Sequence, residues 1–259
     1  SPSSSVSPSI SPSSSRSPSS SVSPSLSPSS SVSPSTPPGL TYDNSSNSSG
    51  ATEGNANAAS GTLTWSHTTS GTERALFVNV VFGKWGGGTN DSNLAITSVK
   101  FNTTETLTLI NTRHSFDDVY GFISTYYLVA PSSGTHDIDV AWTNASPESQ
   151  DTILGGAVSF TQVHQTTPYQ NYNSAVGYST TPSVNVTSNA GNIVLDFVGN
   201  GNSITSSTQT NRWLKNVTFN TGAGNGAMST AAGGGSVTMS YSVVSDWWVI
   251  MGIEVIDSK

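Results

Sequence analysis

The sequence predicts an all-β fold, a jelly-roll-like β-sandwich preceded by an extended tail of serine and proline. Two observations support this prediction. Beyond residue 60, short alternating or continuous apolar runs are separated by clusters of Gly, Asn, Ser and Pro, and no run has the periodicity of a helix. Before residue 40, almost every residue is Ser or Pro, so this part of the chain has no core to bury.

The tail, residues 1–39, is built from a repeated decapeptide. Residues 1–10, 17–26 and 27–36 are near-copies of the unit SPSSSVSPSI, with a shorter SPSSSR between the first two. The isolated apolar side chains cannot offset a backbone ordering cost of about 1–2 kcal/mol per residue, which predicts an unfolded or polyproline II conformation. At ~3.1 Å per residue, such a tail spans on the order of 120 Å and is long enough to reach another copy of the chain.

Glycosylation is expected along the tail, because dense Ser and Thr beside Pro is the composition of O-glycosylated stalks. The candidate attachment residues are Ser3, Ser4, Ser5, Ser13, Ser14, Ser19, Ser20, Ser29, Ser30 and Thr36. Asn-x-Ser/Thr sequons add N-linked candidates at Asn44, Asn47, Asn90, Asn102, Asn144, Asn185 and Asn216. Asn102 and Asn185 alternate with apolar neighbours, so their side chains are expected to point to solvent.

Residues 40–60 are a polar connector that could add an edge strand, and residues 61–259 are the sandwich. The body of about 220 residues is large enough for one large sandwich or two small ones, and we favour one. The predicted strands are 61–67, 74–83, 96–102, 105–111, 121–130, 135–143, 152–163, 183–188, 192–199, 209–217, 227–231, 236–244 and 247–256. Around a dozen strands in one domain suits a jelly roll.

Two kinds of strand pattern recur in the body. The runs 76–82, 153–163 and 247–256 are apolar on both sides, which predicts central strands buried on both faces. Segments 136–142 and 237–243 alternate between apolar and polar residues. Their pattern predicts strands with one face in the core and one in solvent.

Composition excludes several classes of function. The formal net charge is −7 and only eight residues are Lys or Arg, so no basic surface is available for nucleic acid. The chain has no Cys, which excludes disulfides and thiol chemistry. No apolar run approaches the ~18 residues of a membrane span. The chain begins without Met or a secretion signal, and we interpret this as a cleaved signal or further repeats upstream of an extracellular or cell-surface protein.

Five segments of the body carry a resemblance to a known kind of domain: WSHTTSGTERALFVNVVF, TSVKFN, YYLVAPSSGTHDIDVAW, GGAVSFTQVHQTTP and SVTMSYSVVSDWWVIMGIEVI. Over residues 60–257, the body resembles a β-sandwich domain of uncharacterised exported bacterial proteins, and the block at 157–168 is the most specific piece. The fused Ser/Pro repeat resembles subunits of glycan-coated extracellular fibrils from environmental microbes. These resemblances imply a heavily glycosylated surface or filament protein and no catalytic residues.

No catalytic constellation is evident, so we expect the protein not to be an enzyme. Four histidines occur, none in a nucleophile motif such as GxSxG: His67, His114, His136 and His164. A glycosidase would need two carboxylates across a cleft. The pair Asp117–Asp118 falls in a predicted loop, and Asp137 and Asp139 share one face of a strand, so we interpret them as solvated carboxylates.

One loop is the best candidate for ligand binding. The Gly-rich segment 83–93 combines Trp85 with Asn90, Asp91 and Asn93, an aromatic ring with polar donors and acceptors that suits a sugar. The same loop is the only place where structural calcium would be considered, and no other cofactor is expected. The adjacent Trp247–Trp248 pair is interpreted as core, with the two side chains on opposite faces of the last strand.

The leading hypothesis is a structural subunit of an extracellular glycosylated filament. In this hypothesis each tail docks on the next body, and other copies of the chain and covalent glycans are the partners. Sheet-edge pairing by residues 40–60 is the expected docking mode, because proline removes backbone donors throughout the repeats. The alternative is a carbohydrate-binding or adhesin module on a Ser/Pro linker, and a glycoside-cleaving enzyme is a third hypothesis.

Overall fold

The structure is a computed structural model that describes residues 2–9, 39–48, 54–84, 93–115, 120–217 and 224–259. Residues 38–259 form one compact unit, here called the body, and residues 1–37 belong to a separate unit. In that separate unit, residues 2–9 contain no helix or strand and are all exposed.

Seventeen strands occur in the described part of the body, and all of their pairings are antiparallel. They are β1 Thr41–Asn47, β2 Ser60–Thr69, β3 Ala75–Gly83, β4 Leu94–Phe101, β5 Glu105–Thr106, β6 Thr108–His114, β7 Gly121–Val129, β8 Gly134–Asn144, β9 Thr152–Thr161, β10 Tyr169–Ser179, β11 Ser183–Ser188, β12 Ile193–Asn200, β13 Ile204–Ser207, β14 Thr210–Lys215, β15 Asn225–Ala232, β16 Gly235–Val243 and β17 Asp246–Val255. The predicted all-β class is confirmed.

The strands form two consecutive jelly rolls with the same topology. In the first, a five-stranded sheet has the order β1-β9-β3-β7-β6 and a four-stranded sheet has the order β2-β8-β4-β5. In the second, the corresponding orders are β10-β17-β12-β15-β14 and β11-β16-β13. In each half the first strand pairs with the last, and the chain passes repeatedly between the two sheets, which is the arrangement of a jelly roll. The body is therefore one compact unit made of two jelly rolls.

The four sheets stack in four layers with three apolar cores between them. The first core joins β2, β4 and β8 to β3, β7 and β9, and the third joins β11 and β16 to β12 and β17. The second core lies between the two five-stranded sheets, where Phe77 and Phe160 of the first jelly roll meet Phe197 and Met251 of the second. The five-stranded sheets are thus inner layers, and the other two are outer layers.

This layering explains the two strand patterns in the sequence. Strands β3, β9 and β17 lie inside the inner sheets and are buried on both faces, which confirms the prediction of two-sided central strands. The outer strands β2 and β11 alternate between exposed and buried residues. Strands β8 and β16 do so over most of their length, as predicted from 136–142 and 237–243.

Several strands differ from the prediction because they lie at sheet edges or change sheets. Strand β10 was not predicted, since its edge position lets the polar run from Gln170 to Asn173 face solvent. The predicted strand 105–111 is divided at Leu107, where the chain leaves β4 and joins β7. The connector does supply an edge strand, since β1 pairs with β9. Residues 49–53 of the connector lie outside the described residues.

The two jelly rolls meet closely because glycines in the inner strands accept a ring from the opposite sheet. Trp213 of β14 packs against Gly156 of β9, and a Cβ added at Gly156 would lie 2.1 Å from Trp213 Cε2. A Cβ added at Gly226 of β15 would lie 2.8 Å from Leu154 Cδ1 and from Val81 Cγ2 of the opposite sheet, and 3.1 Å from Trp213 Cη2. The sheet spacing at this point therefore depends on residues without side chains.

We expect Gly156→Ala to lower the free energy of unfolding by about 1–3 kcal/mol, because the added methyl group overpacks the inner core. Chemical denaturation measures the change. Gly234→Ala is the matched control, since a Cβ there meets no atom within 4 Å and should change stability by less than ~0.5 kcal/mol. Equal effects of the two substitutions would contradict this account of the packing.

Candidate functional site

A serine, a histidine and an aspartate do come together in the first jelly roll, although their order differs from that of a hydrolase. His67 Nε2 lies 3.1 Å from Ser159 Oγ, and Ser159 Oγ donates to Asp43 Oδ2 at 2.8 Å. In a catalytic triad the carboxylate orients the histidine, whereas here it binds the serine directly. Ser159 is also fully buried, so its hydroxyl is not available to a substrate.

These hydrogen bonds link β1 to β2 and β9. Burial lowers the pKa of His67 to about 4, while the charge of Asp43 raises it by less, so the ring is neutral near pH 7. The other ring nitrogen, Nδ1, lies 2.8 Å from Ser46 Oγ of β1, which also accepts from Trp65 Nε1 at 3.1 Å. No sequence motif indicates this cluster, because its members come from three separate strands, β1, β2 and β9.

A buried carboxyl group lies in the core of the second jelly roll. Burial raises the pKa of Asp196 to about 7, although hydrogen bonds from Tyr241 and Ser229 lower it. Tyr241 Oη and Ser229 N both donate to Asp196 Oδ1 at 2.7 Å, and Ser229 Oγ lies 2.8 Å from Oδ2. A protonated Oδ2 could donate to Ser229 Oγ and leave that hydroxyl free to donate to Gln209 Oε1 at 3.2 Å. The neutral acid therefore satisfies the whole network, and its burial in the core favours a structural role.

Two further buried acids, Glu254 and Asp151, also have their carboxylate groups paired within the fold. Glu254 of β17 accepts from the side chains of Gln170, Asn171 and Asn192. Burial alone would raise its pKa, but these donors outweigh burial and the pKa is lowered. Asp151 forms a buried ion pair with Lys84 at 2.7 Å.

The sequon asparagines have different surroundings in the structure. Asn144 is fully buried, and its Nδ2 donates to Ala56 O and to Asp151 Oδ2, so a sugar there would require the folded contacts to break. Asn216 is held by two hydrogen bonds with the backbone of Ile204. Asn185 is exposed on β11, in agreement with its alternating pattern.

Three further sequon asparagines, Asn44, Asn47 and Asn102, are partly buried. Asn102 lies in the turn after β4 with a φ of 49°, whereas Asn44 and Asn47 lie on β1. Asn90 lies outside the described residues, and glycosylation at each of these positions stays a prediction.

Some of the other predicted site residues lie within the described ranges and others lie outside them. Ser3, Ser4 and Ser5 are exposed. The other O-linked candidates lie outside the described residues: Ser13, Ser14, Ser19, Ser20, Ser29, Ser30 and Thr36. Of the four predicted sugar-binding residues only Asn93 is described, since Trp85, Asn90 and Asp91 lie outside the described residues, as do Asp117 and Asp118. The calcium prediction falls on that same loop.

The exposed face of the first outer sheet carries two of the acids considered for glycoside cleavage. Asp137 and Asp139 of β8 accept from the hydroxyls of Ser66 and Thr64 on β2, at 2.8 and 2.7 Å. These cross-strand pairs support the interpretation of solvated strand carboxylates. Within the described ranges, no group of three or more His, Cys, Asp or Glu side chains could hold a metal ion.

An exposed cluster of rings is the most prominent surface feature of the described body. Trp247 stacks on Tyr120 with ring centroids 5.8 Å apart and planes inclined by 13°, and it meets Tyr178 edge to face at 5.2 Å. Tyr120 is 39% exposed and Tyr178 is 60% exposed. We call these three residues the aromatic patch. The prediction that both tryptophans are core holds for Trp248, which is buried in the third core, whereas Trp247 is half-buried in the patch.

The three rings lie at one end of the strands, here called a pole of the body, and they come from both jelly rolls. Tyr120 precedes Gly121, whose φ of 110° and closeness to Phe82 O leave no room for a Cβ. Tyr178 and Trp247 are register partners on β10 and β17. The patch therefore combines a residue from the first jelly roll with two from the second.

A pocket beside the patch contains polar atoms without partners. It is lined by Tyr120 and Trp247 together with Ser115 and Asn200. Ser115 Oγ and Asn200 Oδ1 are buried and have no hydrogen-bond partner in the described structure. An unpaired buried acceptor or donor costs about 1–3 kcal/mol, so a bound group that pairs with these atoms would be stabilised.

Comparison with known proteins gives no family, since no protein-family model, no curated protein and no solved structure matches this chain. The resemblance to exported bacterial β-sandwich domains therefore stays a prediction. In the described residues, no helix is long and apolar enough to cross a membrane.

We expect Asp196→Asn to make unfolding less dependent on pH. Because the pKa of Asp196 is raised, the folded protein keeps a proton that the unfolded chain releases between about pH 4 and pH 7, so this group lowers stability as pH rises through that window. Asn mimics the neutral acid at every pH. The free energy of unfolding of the variant, relative to the natural protein, should therefore rise by on the order of 3 kcal/mol from about pH 4.5 to about pH 8.

Denaturant unfolding of both proteins at several pH values measures this difference. The opposing contribution of His67 is present in both proteins and cancels. Asp137→Asn controls for the loss of an exposed carboxylate. A relative stability of Asp196→Asn that does not change with pH would show that the pKa of Asp196 is not raised by folding.

Proposed function

We propose that the chain is a non-catalytic structural subunit of an extracellular glycosylated filament, assembled head to tail. The observation that carries the proposal is the position of two features at opposite ends of the body. The tail enters the body at Gly39, and the aromatic patch lies at the other pole. A contact between two different surfaces gives an open polymer when its rotation does not close into a ring.

The strand registers fix these two ends. The start of β1 pairs with the end of β9, at Thr41 and Thr161. The start of β9 at Thr152 pairs with the end of β3 at Gly83, next to the patch. With ~3.3 Å per residue, the ten residues of β9 separate the ends by about 30 Å. A tail that spans on the order of 120 Å is long enough to reach another body.

The docking segment differs from the sequence-based expectation. Residues 40–60 are expected to pair with the sheet edge of another copy, but 41–47 already pair with β9 of their own chain. The hydrogen bonds of β1 with His67 and Ser159 also belong to the same chain. We therefore assign the contact between copies to the Ser/Pro repeat.

Carbohydrate binding is the second candidate, and the aromatic patch supports it. Sugar C–H groups pack on the negative faces of aromatic rings, and the hydroxyl group of Tyr178, a side chain that is 60% exposed, suits hydrogen bonds with sugar hydroxyls. In this alternative the Ser/Pro repeat is a linker and not a ligand.

We expect the full chain to form regular fibres visible by negative-stain electron microscopy, with a mass in light scattering that rises with concentration. A variant that lacks residues 1–38 should remain monomeric under the same conditions, because it has lost the segment that reaches the next copy. Thermal unfolding of the variant confirms that its body is folded. A full chain that remains monodisperse at high concentration would refute the filament.

Intact mass spectrometry of the protein from its natural source tests the glycan coat. The expected mass is heterogeneous and larger than the 26.7 kDa of the polypeptide, with the excess on peptides of residues 1–38. The recombinant chain from a host without such glycosylation is the control. A mass equal to that of the polypeptide would exclude the coat.

A further inference from the structure

We propose that the aromatic patch, Tyr120, Tyr178 and Trp247, is the receptor for the Ser/Pro repeat of a second copy of this chain. This inference rests on the proposed filament and names the surface and the segment that form its repeating contact. The occupant is a polyproline II decapeptide of the type SPSSSVSPSI.

The chemistry of the two surfaces is complementary. Proline-rich segments in polyproline II form dock on grooves lined by aromatic rings, because the segment is already extended and little conformational entropy is lost. The patch offers three rings, since Trp247 contacts both Tyr120 and Tyr178, and these two tyrosines are substantially exposed. Val244, 46% exposed, lies near the start of β17 at the same pole and adds apolar surface.

Charge and hydrogen bonding agree with this occupant. Residues 1–38 carry a single charged side chain, Arg16, so the tail needs no oppositely charged receptor. A polyproline II backbone has no internal hydrogen bonds and presents free carbonyl groups, which can accept from the hydroxyl group of Tyr178, a side chain that is 60% exposed.

The positions of the two ends favour a contact between copies. Gly39 lies near Asp257 and the C-terminal Lys259, at the pole opposite to the patch. A proline-rich segment is a semi-rigid spacer, so a tail that starts at this pole is poorly suited to turn back to its own patch. Because the tail is semi-rigid, it extends away from its own body, and the repeat can reach the patch of the next body.

The repeat is favoured over a free sugar as the occupant because it is part of the chain itself. Every copy that presents a patch also presents three near-identical decapeptides. Because the decapeptide is repeated in each tail, its local concentration near a patch is higher. One decapeptide can also replace another at the patch without loss of binding.

The test uses the full chain at a concentration below that at which it assembles. A synthetic peptide with the sequence of residues 1–10 is titrated while tryptophan fluorescence is recorded, since Trp247 lies in the patch. We expect saturable binding that weakens roughly tenfold or more in Tyr178→Ala. Leu109→Ala is the matched control, because Leu109 is 48% exposed on β6 and pairs with Tyr126, which is about 20 Å along β7 from the end next to Tyr120.

A second peptide makes the test independent of folding defects in the variants. Replacement of Pro2 and Pro8 by Ala in the decapeptide should abolish binding, because the prolines supply both the conformation and the ring contacts. The same decapeptide, added in excess to the full chain, should also shorten or prevent fibres, whereas the Ala peptide should not.

Each contrary result has a separate meaning. Fibres that form equally well from Tyr178→Ala, together with no peptide binding, would overturn this inference and leave the filament intact. Absence of fibres from every variant would refute the filament, while the peptide titration would still decide the receptor.

Binding of neutral oligosaccharides but not of the peptide, lost in Tyr178→Ala, would overturn the inference in favour of carbohydrate binding. A tail bound to its own patch, independent of protein concentration, would overturn the contact between copies.

Discussion

The apolar interface between the two five-stranded sheets is the interaction on which the rest of the body depends. It converts two small sandwiches into one unit, because it buries the second face of strands that would otherwise be exposed on it. Each large side chain buried there, such as Phe77, Phe160 or Phe197, contributes about 1.5–3 kcal/mol. That gain exceeds the cost of the polar atoms that the interface leaves unpaired in the described structure, Trp213 Nε1 and the amide group of Asn79.

Buried polar groups hold strand β1 at its place beside β9, at an edge of the first inner sheet. Strand β1 contributes little apolar surface, and instead it holds its place through Asp43 and Ser46, which pair with Ser159 and His67. If β1 left its position, these buried partners would lose their hydrogen bonds, at about 1–3 kcal/mol for each group. Residues 41–47 of the connector therefore already form one edge of the first inner sheet. For this reason the proposed intermolecular contact uses the Ser/Pro repeat and not the connector.

The class of the fold could be predicted from the sequence because burial on one or both faces leaves a direct trace in the apolar pattern. The runs around Phe77 and Ile250 show the doubly buried inner strands, and the alternation around Val140 shows an outer strand. The division into two jelly rolls leaves no such trace, since it depends on which strands pair. Strand β10 was missed for a related reason: an edge strand needs few apolar residues, and its contacts with Glu254 come from amide side chains.

The candidate site was less predictable than the fold, because its residues are common types brought together by topology. Tyr120, Tyr178 and Trp247 are separated by more than 50 residues in the chain, and only the stacking of two jelly rolls places them side by side. The same geometry relates the patch to the tail. In each antiparallel jelly roll the ends of the strands fall at two poles, so the connector that begins β1 and the loops that begin β7 and β17 lie apart. The opposite positions of Gly39 and the proposed receptor therefore follow from the antiparallel strand order, and in the proposed filament this arrangement would let identical copies repeat in one direction.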